Sequence, residues 1–260
     1  MRAAGPRVRR PMSPSAPSYA RDWAFFLDID GTLLEIAETP EAVRSDQADY
    51  RLLERLHGAA GGAVALISGR TLAMIDELFA PLRLPAAGQH GFERRDGAGR
   101  RRRHRFDAAR LRPIAAVLRD FAHAHPGLVF EDKGASVALH YRLAPELREP
   151  AHAKALAAAT LLPGEVEVQA GKMVWEVKPV GAHKGMAIEE FMVELPFKGR
   201  LPVFLGDDLT DEDGFQVVNR FGGHSVKVGD GATAARWRLA DPASARAWLT
   251  GWADAYSTRA

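Results

Sequence analysis

Cysteine is absent from the 260 residues, which excludes disulfides and thiolate zinc sites and fits a cytoplasmic setting. Long apolar runs are absent too: none approaches the ~20 residues of a membrane-spanning helix, so no membrane partner is expected. Residues 1–20 are rich in Arg, Pro, Ser and Ala and have no apolar centre. They do not read as a secretory signal and are expected to be a disordered basic tail outside the fold. An excess of one charge is missing as well, since 35 Lys and Arg stand against 33 Asp and Glu, for a net charge of +2. Two local basic stretches remain, Arg2, Arg7, Arg9 and Arg10 in the tail, and Arg100 to Arg103 with Arg105. The first has no interleaved aromatic residue on which bases would stack. Both read as solvated surface, the second at a hairpin tip, and no nucleic-acid partner is expected.

What is present is an alternation of strand-like and helix-like segments, with 47% hydrophobic residues to build a core. Trp23 to Leu27, Ala63 to Ile67 and Leu201 to Leu205 are short apolar runs of the kind buried on both faces of a parallel sheet. Helices are expected near 46–57, where Leu52, Leu53 and Leu56 share a face, and over 71–79, 183–194, 210–220 and 242–252. Near residue 95 the rhythm changes. A hairpin around Asp96-Gly97 precedes a helix over 107–125, strands over 128–131 and 136–142, a helix over 145–161 and a second hairpin turning at Ala170-Gly171-Lys172. This order lacks the parallel βα rhythm of its flanks and reads as an insertion. The expected fold is α/β: a Rossmann-like parallel-sheet core over 21–94 and 180–258, with an α+β cap inserted over 95–179.

Two acidic clusters, Asp28-Ile29-Asp30-Gly31-Thr32-Leu33 and Gly206-Asp207-Asp208, directly follow apolar strands. Carboxylates at such strand ends point into the crevice where α/β sheets bind ligands. Their mutual repulsion calls for a cation, and oxygen-only ligation suits a hard one, with Mg²⁺ as the default. Asp28 is placed to attack phosphorus as a nucleophile and Asp30 to serve as acid and base. An EF-hand loop is excluded, because glycine falls at the fourth position instead of the sixth and a strand precedes it. Asp207 is the expected metal ligand of the second cluster, with Asp208 and Asp211 supporting it; Asp211 to Asp213 read equally well as the acidic first turn of a helix. Ser68 ends the second buried strand, either as a phosphate-oxygen donor or as a strand-end turn. Lys184 sits at a helix start, where its charge is unfavourable unless an anion faces it.

In this order the four stations resemble the haloacid dehalogenase-like phosphatase superfamily: Asp28-x-Asp30-Gly-Thr, Ser68, Lys184 and Gly206-Asp207-Asp208. The resemblance implies that Asp28 is the phosphorylated nucleophile and Asp30 the acid/base. It implies that Asp28, the carbonyl of Asp30 and Asp207 bind Mg²⁺, and that Ser68 and Lys184 complete the catalytic set. It also implies a cap between Ser68 and Lys184.

A narrower resemblance is to the trehalose-6-phosphate phosphatase family. It rests on Ile67-Ser68-Gly69-Arg70, Gly88-Gln89-His90-Gly91-Phe92-Glu93, His140-Tyr141-Arg142, Lys172 through Glu176, His183-Lys184-Gly185 and Gly206 through Asp213. Ile29 departs from the pattern, since family members often carry Tyr or Phe there. This resemblance implies hydrolysis of trehalose 6-phosphate through an aspartyl-phosphate, with Glu131, Arg142, Lys172 and Glu176 binding sugar hydroxyls and Arg70, Gly88, His90 and Gly91 lining the same cleft. A functional link to a trehalose-phosphate synthase goes with it. From spacing alone, the four cap residues read equally as cross-strand ion pairs, Glu131 with Arg142 and Lys172 with Glu176. Two alternatives stand beside this reading. One is a phosphatase of another sugar phosphate, such as mannosyl-3-phosphoglycerate or sucrose 6-phosphate. The other is a catalytically silent sugar-phosphate-binding regulatory domain.

Overall fold

The computed structural model describes residues 16–37 and 42–257. Of the expected tail, residues 1–15 lie outside the described residues. Residues 16–20 correct the expectation: Tyr19 packs edge-on against Trp23 and donates its hydroxyl to the Trp248 carbonyl at 3.0 Å, so this stretch belongs to the core.

The core sheet is built from β1 (Trp23–Leu27), β2 (Val64–Ile67), β3 (Ala86–Gly88), β4 (Glu93–Arg95) and β5 (Arg101–Arg103), completed after the insertion by β10 (Leu201–Gly206), β11 (His224–Val228) and β12 (Trp237–Leu239). Its order is β12-β11-β10-β1-β2-β3-β4-β5. The strands from β12 to β3 run parallel. Every residue of β1 and β2 is buried, as expected of apolar runs covered by helices on both faces. The covering helices are α1 (Gln47–Ala59), α2 (Leu72–Leu78), α5 (Lys184–Met192), α6 (Glu212–Arg220) and α7 (Pro242–Tyr256). Helix α1 starts at a capping box, in which Asp46 accepts from the Ala48 and Asp49 amides while Asp49 accepts from Asp46.

The hairpin at residues 93–103 corrects the expected boundary at residue 95. β4 pairs antiparallel with β3, and β5 with β4, so the hairpin extends the core sheet. The reason lies in two buried arginines. Arg94 forks onto Glu194 at 2.9 and 2.8 Å, and Arg95 reaches Asp76 at 2.6 Å, which neutralises a strand that reads as surface. The three arginines of β5, at the sheet edge, are exposed.

The inserted segment carries α3 (Arg112–Ala124), β6 (Val129–Asp132), β7 (Val137–His140), α4 (Arg148–Ala159), β8 (Val166–Gly171) and β9 (Val174–Pro179). Its antiparallel sheet has the order β6-β7-β9-β8. Leu111, Ile114 and Leu118 of the α3 region pack on Leu139 and Val177 of this sheet. In the pairing register Glu131 faces Ala138, Ala138 faces Glu176, and Glu176 faces Gln169. Directly paired residues share a face, so one row across the cap sheet carries Glu131, Glu176 and Gln169 together. No helix of the described residues is long and apolar enough to cross a membrane.

Candidate active site

The parallel register of β1 and β10 pairs Leu27 with Leu205, which brings Asp28 and Asp207 to the same end of the sheet. Gly31 turns the chain just beyond β1 with φ +85°, and a Cβ there would stand 2.2 Å from Asp207 Oδ2. Glycine is required on both counts. The turn separates the two aspartates of the first cluster. Asp28 stays buried, whereas Asp30 swings to Arg70, whose Nε and Nη2 donate to its two carboxylate oxygens at 2.7 Å each. Ser68, buried at the end of β2, accepts from the Arg70 amide at 3.1 Å.

The carboxylates that meet are those of Asp28, Asp207 and Asp211, with ligand oxygens within 4.8 Å of one another. Lys184, the first residue of α5, is buried between two of them, 2.7 Å from Asp28 and 2.6 Å from Asp211. These anions answer the unfavourable charge at a helix N-terminus. Burial opposes the Lys184 charge, but Asp211 and Asp28 outweigh it and hold the ammonium ionised well above its ordinary range. Asp211 is fully committed: Oδ1 takes Lys184, and Oδ2 accepts the amides of Asp207 and Asp208 at 2.9 Å each. It therefore fixes the loop that presents Asp207. Asp208 is also committed, accepting from the Thr210 amide at 2.7 Å and the Lys172 amide at 2.8 Å.

Asp207 is left incomplete. Its Oδ1 is buried without a partner among the described residues. Its Oδ2 faces the ammonium of Lys172 at 3.2 Å, and Lys227 donates to its backbone carbonyl. Burial, then the charge of Asp211, pushes its carboxyl up to about 6. Burial likewise holds Asp28 well above the usual carboxylate range despite Lys184. An orphaned carboxylate oxygen beside two further carboxylates is a donor set that fits a hard divalent cation. Asp28 and Asp207 would hold it, while the carboxylate of Asp30 is turned to Arg70 and away from the cluster.

The cap brings a second charged group over the same cleft. Lys133, half-buried and two residues beyond Glu131, lies 2.9 Å from Glu176 and 3.9 Å from Glu131. His90 Nε2 lies 3.2 Å from Glu176, and His140 Nε2 lies 2.9 Å from Glu131. The carboxyl of Glu176 is buried, which would raise it, yet Lys133 and His90 hold it well below its ordinary value. The alternative cross-strand pairs, Glu131 with Arg142 and Lys172 with Glu176, do not form. Arg142 instead donates to the carbonyls of Ala37 and Lys172. Asp28, Lys184 and Asp207 from the core line one cleft with Glu131, Lys133 and Glu176 from the cap, around a cavity of about 150 Å³.

The family model described as Trehalose-phosphatase matches residues 26–243, nearly all of this architecture. The chain belongs to the trehalose-phosphatase family. It is 46% identical to the trehalose-6-phosphate phosphatase of Escherichia coli over 90% of this chain and 87% of that one. It is 44% identical to a probable trehalose-phosphate phosphatase of Sinorhizobium fredii, over 80% and 78% respectively. Among solved structures, the C-terminal domain of the trehalose-6-phosphate phosphatase of C. albicans superposes with a TM-score of 0.80 at 24% identity, covering 90% of this chain and 92% of that one; this likeness speaks for the fold.

Within the trehalose-phosphatase frame, most expected site residues converge. Arg70, His90, Glu131, Arg142, Lys172 and Glu176 all line the cleft. Gly88 and Gly91 do not, which corrects the expectation for them. A Cβ on Gly88 would stand 2.8 Å from the Arg70 carbonyl, and Gly91 has φ +104° with the His183 carbonyl 3.1 Å from where its Cβ would be. These glycines permit close backbone packing beneath the site. Lys133 and His140 escaped the sequence reading. The i, i+2 spacing of Glu131 and Lys133 at a strand end was the available signal.

Proposed function

We propose that the protein is a Mg²⁺-dependent phosphatase that hydrolyses trehalose 6-phosphate to trehalose and phosphate. The observation that carries this reading is the single cleft in which Asp28, Lys184 and Asp207 face Glu131, Lys133 and Glu176. A phosphate is met at the core end by Lys184, together with the cation that would offset the carboxylates of Asp28 and Asp207. A disaccharide, with hydroxyls that both donate and accept, is met by the carboxylates and ammonium of the cap. The 46% identity to the Escherichia coli enzyme over most of both chains supports the choice of sugar.

In the first step a carboxylate oxygen of Asp28 bonds to phosphorus, and the bond from phosphorus to the sugar oxygen breaks. The electron pair goes to the sugar oxygen, which takes a proton from Asp30. Water then attacks phosphorus, passing its proton to Asp30 as the phosphorus bond to Asp28 breaks. In the structure Asp30 is held by the Arg70 fork, and it leaves that fork to reach the sugar oxygen. Lys184 keeps Asp28 aligned and neutralises part of the phosphate charge. The cation, when bound, offsets charge between Asp28 and the phosphate.

The test is phosphate release from trehalose 6-phosphate with Mg²⁺, beside glucose 6-phosphate, sucrose 6-phosphate and mannosyl-3-phosphoglycerate. Chelator and Asp28→Asn serve as controls. Release from the trehalose ester alone, abolished by both controls, is the expected result. Preference for another ester would discard the substrate. Binding without release from any ester would favour the silent regulatory domain.

A further inference from the structure

The turn joining β3 to β4 contains three consecutive residues in the left-handed region: Gln89 at φ +47°, His90 at +57° and Gly91 at +104°. Two of these are not glycine, and such a backbone persists only where surrounding contacts over-determine it. His90 has an evident partner in Glu176. Gln89 does not line the cleft, yet its side chain is buried. Its Oε1 accepts from the backbone amide of Ala135 at 3.1 Å, and its Nε2 lies 3.4 Å from Glu93 Oε1. Glu93 in turn accepts from the Leu72 amide at 2.7 Å. The carboxamide is thus braced against the core and grips the β6–β7 connection of the cap. Ala135 stands two residues beyond Lys133, whose ammonium rests on Glu176. Ala135 also packs with Phe92, between β3 and β4, and with Ala182, between β9 and α5.

We infer that Gln89 is a specificity-positioning residue: by holding the Ala135 amide it sets the register of the cap over the core, and with it the place of Lys133 and Glu176 above Asp28. The strained turn delivers two side chains to two separate places in the cap, His90 to Glu176 of β9 and Gln89 to the β6–β7 connection. This gives the cap a fixed docking geometry. The inference rests on the proposed sugar-phosphate reading for its kinetic consequences, while the grip itself is measurable without substrate.

Gln89→Gly separates the two contributions. Glycine relieves the backbone strain but removes the acceptor. Gln89→Asn keeps a residue tolerant of the left-handed region, though one methylene too short to hold Ala135. Both variants and the wild type are assayed with trehalose 6-phosphate and with p-nitrophenyl phosphate, whose small leaving group needs no cap contact. Amide hydrogen exchange at Ala135 is followed in the substrate-free protein. The expected result is a fall of about tenfold in kcat/KM for the sugar ester, the worth of one buried hydrogen bond, carried by KM. Turnover of the aryl ester stays within about twofold, and exchange at Ala135 accelerates about tenfold by the same reasoning. An unchanged Ala135 exchange rate in both folded variants overturns the grip. Equal losses on both esters overturn the specificity role. If the wild type releases no phosphate from trehalose 6-phosphate, the substrate reading fails, and Ala135 exchange still decides for or against Gln89.

Discussion

Replacing Lys184 by methionine keeps the shape of the side chain and removes the charge that binds Asp28 to Asp211. Both contacts are short, 2.7 and 2.6 Å, and the three side chains are buried. Breaking a buried ion pair by deleting one partner destabilises by about 3–5 kcal/mol, because the remaining charge is stranded. For a chain of this size that is a drop of roughly 6–20 °C in melting temperature. The sign with pH follows from the carboxylates. Asp28 and Asp207 already titrate above their ordinary values, and loss of the Lys184 charge raises both further. A group whose folded value is raised favours folding where it is protonated, so the variant recovers stability as pH falls. Lys184 itself, raised in the wild type, stays charged throughout and adds no slope between pH 5 and 8. Urea unfolding of the metal-free wild type and Lys184→Met at pH 8 and pH 5 is the assay. A difference that shrinks toward pH 5, and again on adding a divalent cation, is expected, with phosphatase activity lost at both pH values. A difference independent of pH, or a more stable variant, would refute the reasoning.

Three further outcomes are expected. Gly31→Ala combines φ +85° with a Cβ 2.2 Å from Asp207 Oδ2, so metal affinity read by calorimetry falls at least about tenfold, the scale of a perturbed metal-site support. With Asp207 at about 6, protons compete with the cation, and affinity weakens about tenfold from pH 7 to pH 5, measured by titration at both pH values. Glu176→Gln takes from Lys133 its nearer carboxylate, leaving Glu131 at 3.9 Å, and costs up to about 3 kcal/mol at pH 7 in urea unfolding. Because Glu176 titrates well below its ordinary value, its contribution is present above about pH 4.5 and is lost as pH falls through the depressed value, so the variant and the wild type converge in acid.

The core strands were legible because each is a short apolar run ended by a polar residue or a glycine: Asp28 after β1, Ser68 after β2 and Gly206 at the end of β10. β1, β2 and β10 fall within a residue of where the pattern puts them. The β4–β5 hairpin was legible as a hairpin but not as part of the core sheet, since Arg94 and Arg95 become buried only through distant partners, Glu194 and Asp76. Asp28, Asp207 and Lys184 could be placed because strand ends and helix starts carry chemistry by position. The place of Asp211 was hidden in an acidic first turn, where a local capping role explains it equally well; that role is real, and the contact with Lys184 is added to it. Gln89 was not legible as a brace, and Lys133 only through its i, i+2 spacing from Glu131, because both roles depend on how the insertion seats against the core.

The arginine strand β5 has a consequence for association. It forms the open edge of the core sheet, and unpaired backbone at such an edge invites a strand from another molecule. Arg101, Arg102 and Arg103 are exposed yet tethered back to Asp76, Glu194 and Glu93 at 3.1, 3.5 and 3.3 Å. An incoming strand would have to lie among three guanidinium groups anchored from below, each carrying its hydration. The densest basic stretch of the described chain thus acts as a guard rail, keeping this edge of the sheet from growing into its neighbours.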